Sequence, residues 1–135
     1  MKPAFPSVSS SLTVFRIVVA LLLAAHGFIR LYAGTVDGFG DFLTFKGFPA
    51  GNAVAWFLTI FEIAGGLCMA AGFFVKWIAL VLMTEIIMGI ILVHAANGWF
   101  VVGHQLGGVE YSVLLIFSLL LIIAQDISRK NKRSL

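Results

Sequence analysis

Residues 52–97 read NAVAWFLTIFEIAGGLCMAAGFFVKWIALVLMTEIIMGIILVHAAN, and this stretch decides the fold. It holds two apolar runs, 52–73 and 77–97, with a carboxylate inside each, Glu62 and Glu85. A helix crosses the hydrocarbon of a bilayer with roughly 20 apolar residues at about 1.5 Å rise each. Both runs meet that length. Only Phe74, Val75 and Lys76 join them, so the two spans are expected to form an antiparallel hairpin.

Working outward, two more runs of the same kind flank the pair: SLTVFRIVVALLLAAHGFIRLYA at 11–33 and GGVEYSVLLIFSLLLIIAQ at 107–125. The chain has 135 residues, 61% hydrophobic and 11% charged. Soluble domains carry about 25% charged residues, so this balance excludes a soluble fold of this size. The reading is all-α: an integral-membrane antiparallel four-helix bundle in a single domain, 1–135, ending in a basic tail, 126–135. Leu23-Ala24-Ala25 loosely resembles a signal-peptide cleavage site. Arg16 and Arg30 inside the first run argue against one, and cleavage would leave an odd number of spans.

Basic residues set the orientation of such a protein. Lys2, Lys76, Arg129, Lys130, Lys132 and Arg133 fall on one side, whereas the opposite loops hold Asp37, Asp41, Lys46 and His104. Both termini are therefore expected in the cytoplasm, in a bacterial-type inner membrane. The net charge of +3 reflects this bias and contact with an anionic leaflet rather than nucleic-acid binding. One cysteine, Cys68, rules out dithiol chemistry and a thiolate zinc site, and no metal is expected.

Seven ionisable side chains lie within the spans: Arg16, His26, Arg30, Glu62, Glu85, His94 and Glu110. Charges at membrane depth are costly, so such groups turn inward and find partners. At 100° per residue, Arg16, Leu23, His26, Gly27 and Arg30 share one side of the first helix. Ala55, Thr59, Glu62, Gly65, Gly66 and Met69 share a face of the second, with Phe57, Ile60, Phe61 and Leu67 opposite. Small residues allow close helix packing, which turns Glu62 inward. Glu85 shares its face with Gly89, Leu92 and Ala96.

Depth suggests the pairing. Counted from the cytoplasmic ends, Arg16 lies about 8 Å in, Glu85 about 12 Å and Glu62 about 16 Å. Counted from the outer side, Arg30, His94 and Glu110 lie about 5 Å in and His26 about 10 Å. The economical pairs are Arg16–Glu85 and Arg30–Glu110, either of which can be a packing device alone. Glu62 is then a central carboxylate without an arginine at its own depth and with His26 above it, a candidate for proton handling. His94, nine residues from Glu85, cannot face the same cavity on an ideal helix. Either Gly89 distorts that helix or His94 faces another neighbour.

His26 and His94 raise a bis-histidine haem, but their unequal depths favour hydrogen-bonded interior histidines. The long connection 34–51, GTVDGFGDFLTFKGFPAG, carries Phe39, Phe42, Leu43 and Phe45 beside Asp41 and Lys46. It reads as a short amphipathic segment at the membrane interface. Trp99 and Phe100 read as interface aromatics.

These residues together resemble the DoxX family of small membrane proteins. The resemblance rests on Arg16, then His26-Gly27 with Arg30 three further on, EIAGG at 62–66, His94, and Gly108-Val109-Glu110-Tyr111 opening the fourth helix. The ordered set covers most of 16–120. It implies a four-helix membrane bundle with Arg16, His26, Glu62, His94 and Glu110 as recurrent polar positions. Arg30 stands where the family commonly has Lys. A Gly- and Asp-containing ending after the fourth helix is replaced here by QDISRKNKRSL. The name-giving members are subunits of a quinone-linked sulfur oxidoreductase, and others are linked to redox-stress systems.

Three functions fit. The first is a membrane component of a redox system that binds a quinone or similar apolar ligand between the helices. Glu62, helped by His26, would handle the proton, while Arg16, Arg30, Glu85, His94 and Glu110 fix geometry. No flavin, iron–sulfur or haem motif is evident, so electrons would come from a membrane or peripheral redox partner. The second is a proton-coupled small-molecule carrier working through a lone carboxylate, with a homodimer providing alternating access. The third is a non-catalytic assembly or scaffold partner whose polar groups fix helix register.

Overall fold

The computed structural model of the protein describes residues 6–103 and 107–132. These form α1 (Val8–Tyr32), α2 (Val36–Phe45), α3 (Gly51–Ala71), α4 (Val75–Leu92), a 3-10 turn at His94–Asn97 and α5 (Glu110–Asn131). α1, α3, α4 and α5 are each long and apolar enough to cross a membrane. The all-α class and the four spans are thus as expected. Lys2, His104 and Arg133 lie outside the described residues. The chain divides into two compact units, Met1–Phe73 and Phe74–Leu135.

In the first unit α1 starts at Ser7, whose hydroxyl accepts the Ser10 N–H at 3.2 Å. It buries Arg16, Val19, Ala20, Leu23, Ala24 and Gly27. α3 buries Gly51, Ala55, Thr59, Glu62, Gly65, Gly66 and Met69, the face the 100° spacing singled out. Phe57, Ile60 and Leu67 on its other side are exposed, as lipid contact requires. The glycines allow the backbones to meet. A Cβ on Gly66 would lie 2.8 Å from both the Ala20 carbonyl oxygen and the Ala24 Cβ, and one on Gly27 would lie 2.7 Å from the Thr59 carbonyl oxygen. Arg16 meets Ala70 at one end of this seam and Gly27 meets Thr59 nearer the other, so α1 and α3 run antiparallel.

The first turns of α3 pack against α2. Gly40 fits against Asn52, and Gly51 against Thr44 and the Gly40 carbonyl, with no room for a Cβ at either glycine. The Trp56 indole N–H donates to Asp37 Oδ1 at 3.1 Å. α2 stands where the amphipathic segment was expected, but its buried stripe is Val36, Gly40 and Leu43. Phe45, at the end of the segment, is 84% exposed, as an apolar side chain turned to the membrane interface is.

The second unit pairs α4 with α5. α4 buries Val75, Ile78, Ala79 and Leu82, and α5 buries Ser112, Leu115, Ser118, Leu119, Ile122 and Asp126. Two boundaries differ from expectation by five residues or more. α4 ends at Leu92 rather than 97, because Val93 leaves the helical region (φ −130°, ψ −61°) and the chain tightens into the 3-10 turn. α5 continues to Asn131, so much of the expected tail is helix. Asp126 and Lys130, four residues apart and joined at 2.7 Å, support these turns. Cations at a helix C-terminus, here Arg129 and Lys130, also favour the extension.

Candidate functional site

The first unit contains a compact polar network in its apolar seam. Arg30 Nη1 donates to Glu62 Oε2 at 2.8 Å and Nη2 donates to Glu62 Oε1 at 3.3 Å, a two-pronged ion pair. Nη1 also donates to the Thr59 hydroxyl at 3.1 Å. That hydroxyl in turn donates to the Ala55 carbonyl at 2.7 Å, which fixes its orientation. The Phe39 ring of α2 covers the guanidinium, 4.5 Å from its central carbon. The Arg30 and Glu62 side chains are only 20% and 10% exposed. Charge-assisted hydrogen bonds are worth about 1.5–3 kcal/mol each, and planar forks hold geometry well.

This arrangement corrects two expectations. Arg30, expected beside Glu110, pairs with Glu62, and Glu62 is not a central carboxylate without an arginine. Side-chain direction is the cause. Cα–Cβ bonds tilt toward a helix's N-terminus. In antiparallel helices, Arg30 therefore reaches back along α1 while Glu62 reaches back along α3, and the two converge. Counting depth at Cα alone placed them in different layers. Moreover, α3 begins beyond the end of α1, where α2 takes over the packing, so the helix ends are not level.

The other basic groups of α1 separate. Arg16 is buried, 6% exposed, and Nη2 donates to the Ala70 carbonyl at 3.3 Å. Its guanidinium sits beside Gly72, at the end of α3 where the helix carries partial negative charge. His26 was expected to stand above Glu62. It is exposed instead, one residue off the buried Gly27, and makes no hydrogen bond with Glu62. The small residues Ala20, Ala24 and Gly27 take the seam, which rotates His26 out of it.

The second unit gathers the remaining motif residues at one end. His94 Nδ1 hydrogen-bonds the Gly107 carbonyl at 2.7 Å, which also accepts from Asn97 at 3.4 Å. Residues 98–101 and 107–110 then pair backbone to backbone: Gly107 with Val101, Gly108 with Phe100, Val109 with Gly98 and Glu110 with Trp99. Glu110 Oε1 accepts the Val101 N–H at 2.9 Å. A Cβ on Gly108 would lie 2.5 Å from the Phe100 carbonyl oxygen, so only glycine fits. His94 thus faces a neighbour unlike Glu85, as one of the two alternatives anticipated, because the helix ends before it. Glu85 lies half-buried in α4, three residues past Leu82.

Residues that the sequence reading did not single out as site positions also matter. Thr59 and Phe39 hold Arg30, and Asp126, placed in the tail, is a buried member of α5. Thr59 carried a signal, since it precedes Glu62 by one helical turn. Phe39 carried none beyond its segment's amphipathic pattern. Among the described residues no three of His, Cys, Asp or Glu group as metal ligands.

Comparison with family models matches residues 11–95 to DoxX, more than half of the chain. The chain belongs to the DoxX family. The match takes in most of α1, all of α2 to α4 and the start of the His94 turn, and with them Arg16, His26, Arg30, Glu62, Glu85 and His94. No curated protein and no solved structure matches the chain. This is a DoxX-family protein with four apolar helices, a multi-pass membrane protein in contact with the lipid bilayer.

Proposed function

We propose that this DoxX-family protein is a membrane component of a redox system, a subunit of a quinone-linked oxidoreductase, that holds a quinone or similar apolar carbonyl compound against Arg30. The observation that carries the reading is the Arg30–Glu62–Thr59 network within two apolar helices. Arginine has five N–H donors, and the bonds to Glu62 and Thr59 employ three. The remaining donors suit a carbonyl oxygen, whose developing negative charge on reduction a fixed cation stabilises. The pair is neutral as a whole, which favours an uncharged ligand over an anion.

Glu62 acts here as the anchor that orients Arg30, and Thr59 as its second support. His26, turned away, has no part at this carboxylate. Reduction of a quinone to a quinol takes two electrons and two protons. The electrons would arrive from a redox partner protein, docked at or within the membrane, and the two protons from water at the membrane interface. The carrier alternative relied on a lone carboxylate, and Glu62 is paired, so it loses its basis. The scaffold alternative keeps a specific support, since a two-pronged ion pair also fixes register between α1 and α3. The Lys and Arg distribution supports an inner-membrane location with both termini in the cytoplasm.

Titration of the purified protein with a short-chain ubiquinone tests the reading. Glu62→Gln keeps the shape and removes the charge, and is expected to weaken binding on the order of tenfold, equivalent to about 1.4 kcal/mol. Equal affinity in both proteins would remove the cluster from the site. Loss of stability with no change in affinity would favour the scaffold.

A further inference from the structure

The donors of Arg30 that stay free decide what shape of ligand it can hold. A guanidinium is planar, and its five N–H bonds point in fixed directions. Glu62 bridges Nη1 and Nη2, so it takes the two N–H bonds that face outward from the end of the group. Thr59 takes the second N–H of Nη1. Two donors are left, the N–H of Nε and the second N–H of Nη2. They lie on one edge of the plane and point the same way, side by side. Nε bonds to none of the described residues, and the packing does not close it off. The carboxylate, the hydroxyl and the Phe39 ring, 4.5 Å from the guanidinium carbon, hold the group in place. The free edge is therefore set before any ligand arrives.

We infer, on the footing of the quinone site proposed above, that this edge of Arg30 reads two neighbouring oxygens, and that the ligand is a quinone with an oxygen substituent beside its carbonyl, as in the dimethoxy ring of ubiquinone. A lone carbonyl oxygen between two parallel donors lines up with neither. Placed on one of them, it leaves the other unpaired in an apolar seam, which costs binding energy. A carbonyl and an adjacent methoxy oxygen lie in one ring plane, so each donor has its own acceptor. A carboxylate or phosphate has the same two-oxygen shape. Glu62, however, already neutralises the cation and repels a second anion.

Titration of the purified wild type with decylubiquinone and decylplastoquinone tests it. The two have the same tail and differ chiefly in carrying methoxy or methyl groups beside the carbonyls. Decylubiquinone is expected to bind roughly threefold to tenfold more tightly, the range of one hydrogen bond. Burial in an apolar seam alone favours the methyl groups, so the sign of the difference separates the two effects. In Arg30→Lys the ammonium keeps a positive charge beside Glu62 but has no parallel pair of donors, and the preference is expected to vanish. Thr59→Ser, which keeps the hydroxyl, is expected to retain it. Equal affinity of the two quinones for the wild type, both weakened by Arg30→Lys, overturns the two-oxygen edge and leaves the quinone site standing. A preference that persists in Arg30→Lys places the methoxy contact elsewhere and overturns the inference too. Displacement of decylubiquinone by an equal concentration of decanoate shows an anion on this edge, with the same consequence. Binding of neither quinone overturns the quinone site itself, and the inference with it.

Discussion

Arg30 grips the Glu62 carboxylate through both terminal nitrogens, at 2.8 and 3.3 Å, across the seam between α1 and α3. Gly27, one turn before Arg30, makes this grip possible by letting α1 lie against the Thr59 carbonyl.

Gly27→Val should therefore break the pair without touching either charge. The added carbons would meet the Thr59 carbonyl oxygen and the Glu62 side chain, and overpacking of this kind costs about 1–3 kcal/mol. Thermal unfolding in detergent should show the loss. Gly89→Ala serves as the control, since a Cβ there meets nothing within 4 Å, and its melting temperature should hold or rise slightly.

Thr59→Val removes the hydroxyl that accepts from Arg30 and donates to Ala55. Stability should fall by about 1 kcal/mol, the usual net worth of a hydrogen bond, and Thr59→Ser should restore most of it. Equal unfolding curves for Val and Ser would show that the hydroxyl does not hold the guanidinium.

In the second unit, Glu110→Ala should free the Val101 amide, which the carboxylate accepts at 2.9 Å. Amide hydrogen exchange should speed at Val101 while the middle of α5 stays protected. Gly108→Ala should loosen the whole pairing of 98–101 with 107–110, since its Cβ has no space.

Arg16→Met keeps a long side chain but loses the bond to the Ala70 carbonyl. The last turn of α3 should fray, with a cost of about 1–3 kcal/mol for a charged donor lost from a buried site. Hydrogen exchange of the residue 69–73 amides should report it directly.

Much of this arrangement was legible in the sequence, and the parts that were not share a cause. The four spans followed from length and hydropathy. The buried face of α3 followed from its 3.6-residue period, down to Thr59, Glu62 and Gly66. Pairing was harder because depth was counted along straight helices with level ends. Arg30 reaches several ångströms back along α1, and α2 lengthens the unit beyond α1's last turn. The end of α4 was hidden for a related reason: an apolar pattern continues past Leu92 although the helix does not. His26 lies at the edge of the small-residue seam, where one position decides between facing in and facing out, and sequence periodicity does not resolve one position.

The most direct test of the central claim is ubiquinone affinity in the double variant Arg30→Met, Glu62→Met. Replacing both partners of a buried ion pair by apolar side chains leaves no orphaned charge and commonly preserves stability. The double variant should therefore fold, with helical circular dichroism and a melting temperature near those of the wild type, and bind the quinone at least roughly tenfold more weakly. Unchanged affinity in a well-folded double variant would contradict the account and leave Arg30 and Glu62 as a packing device alone.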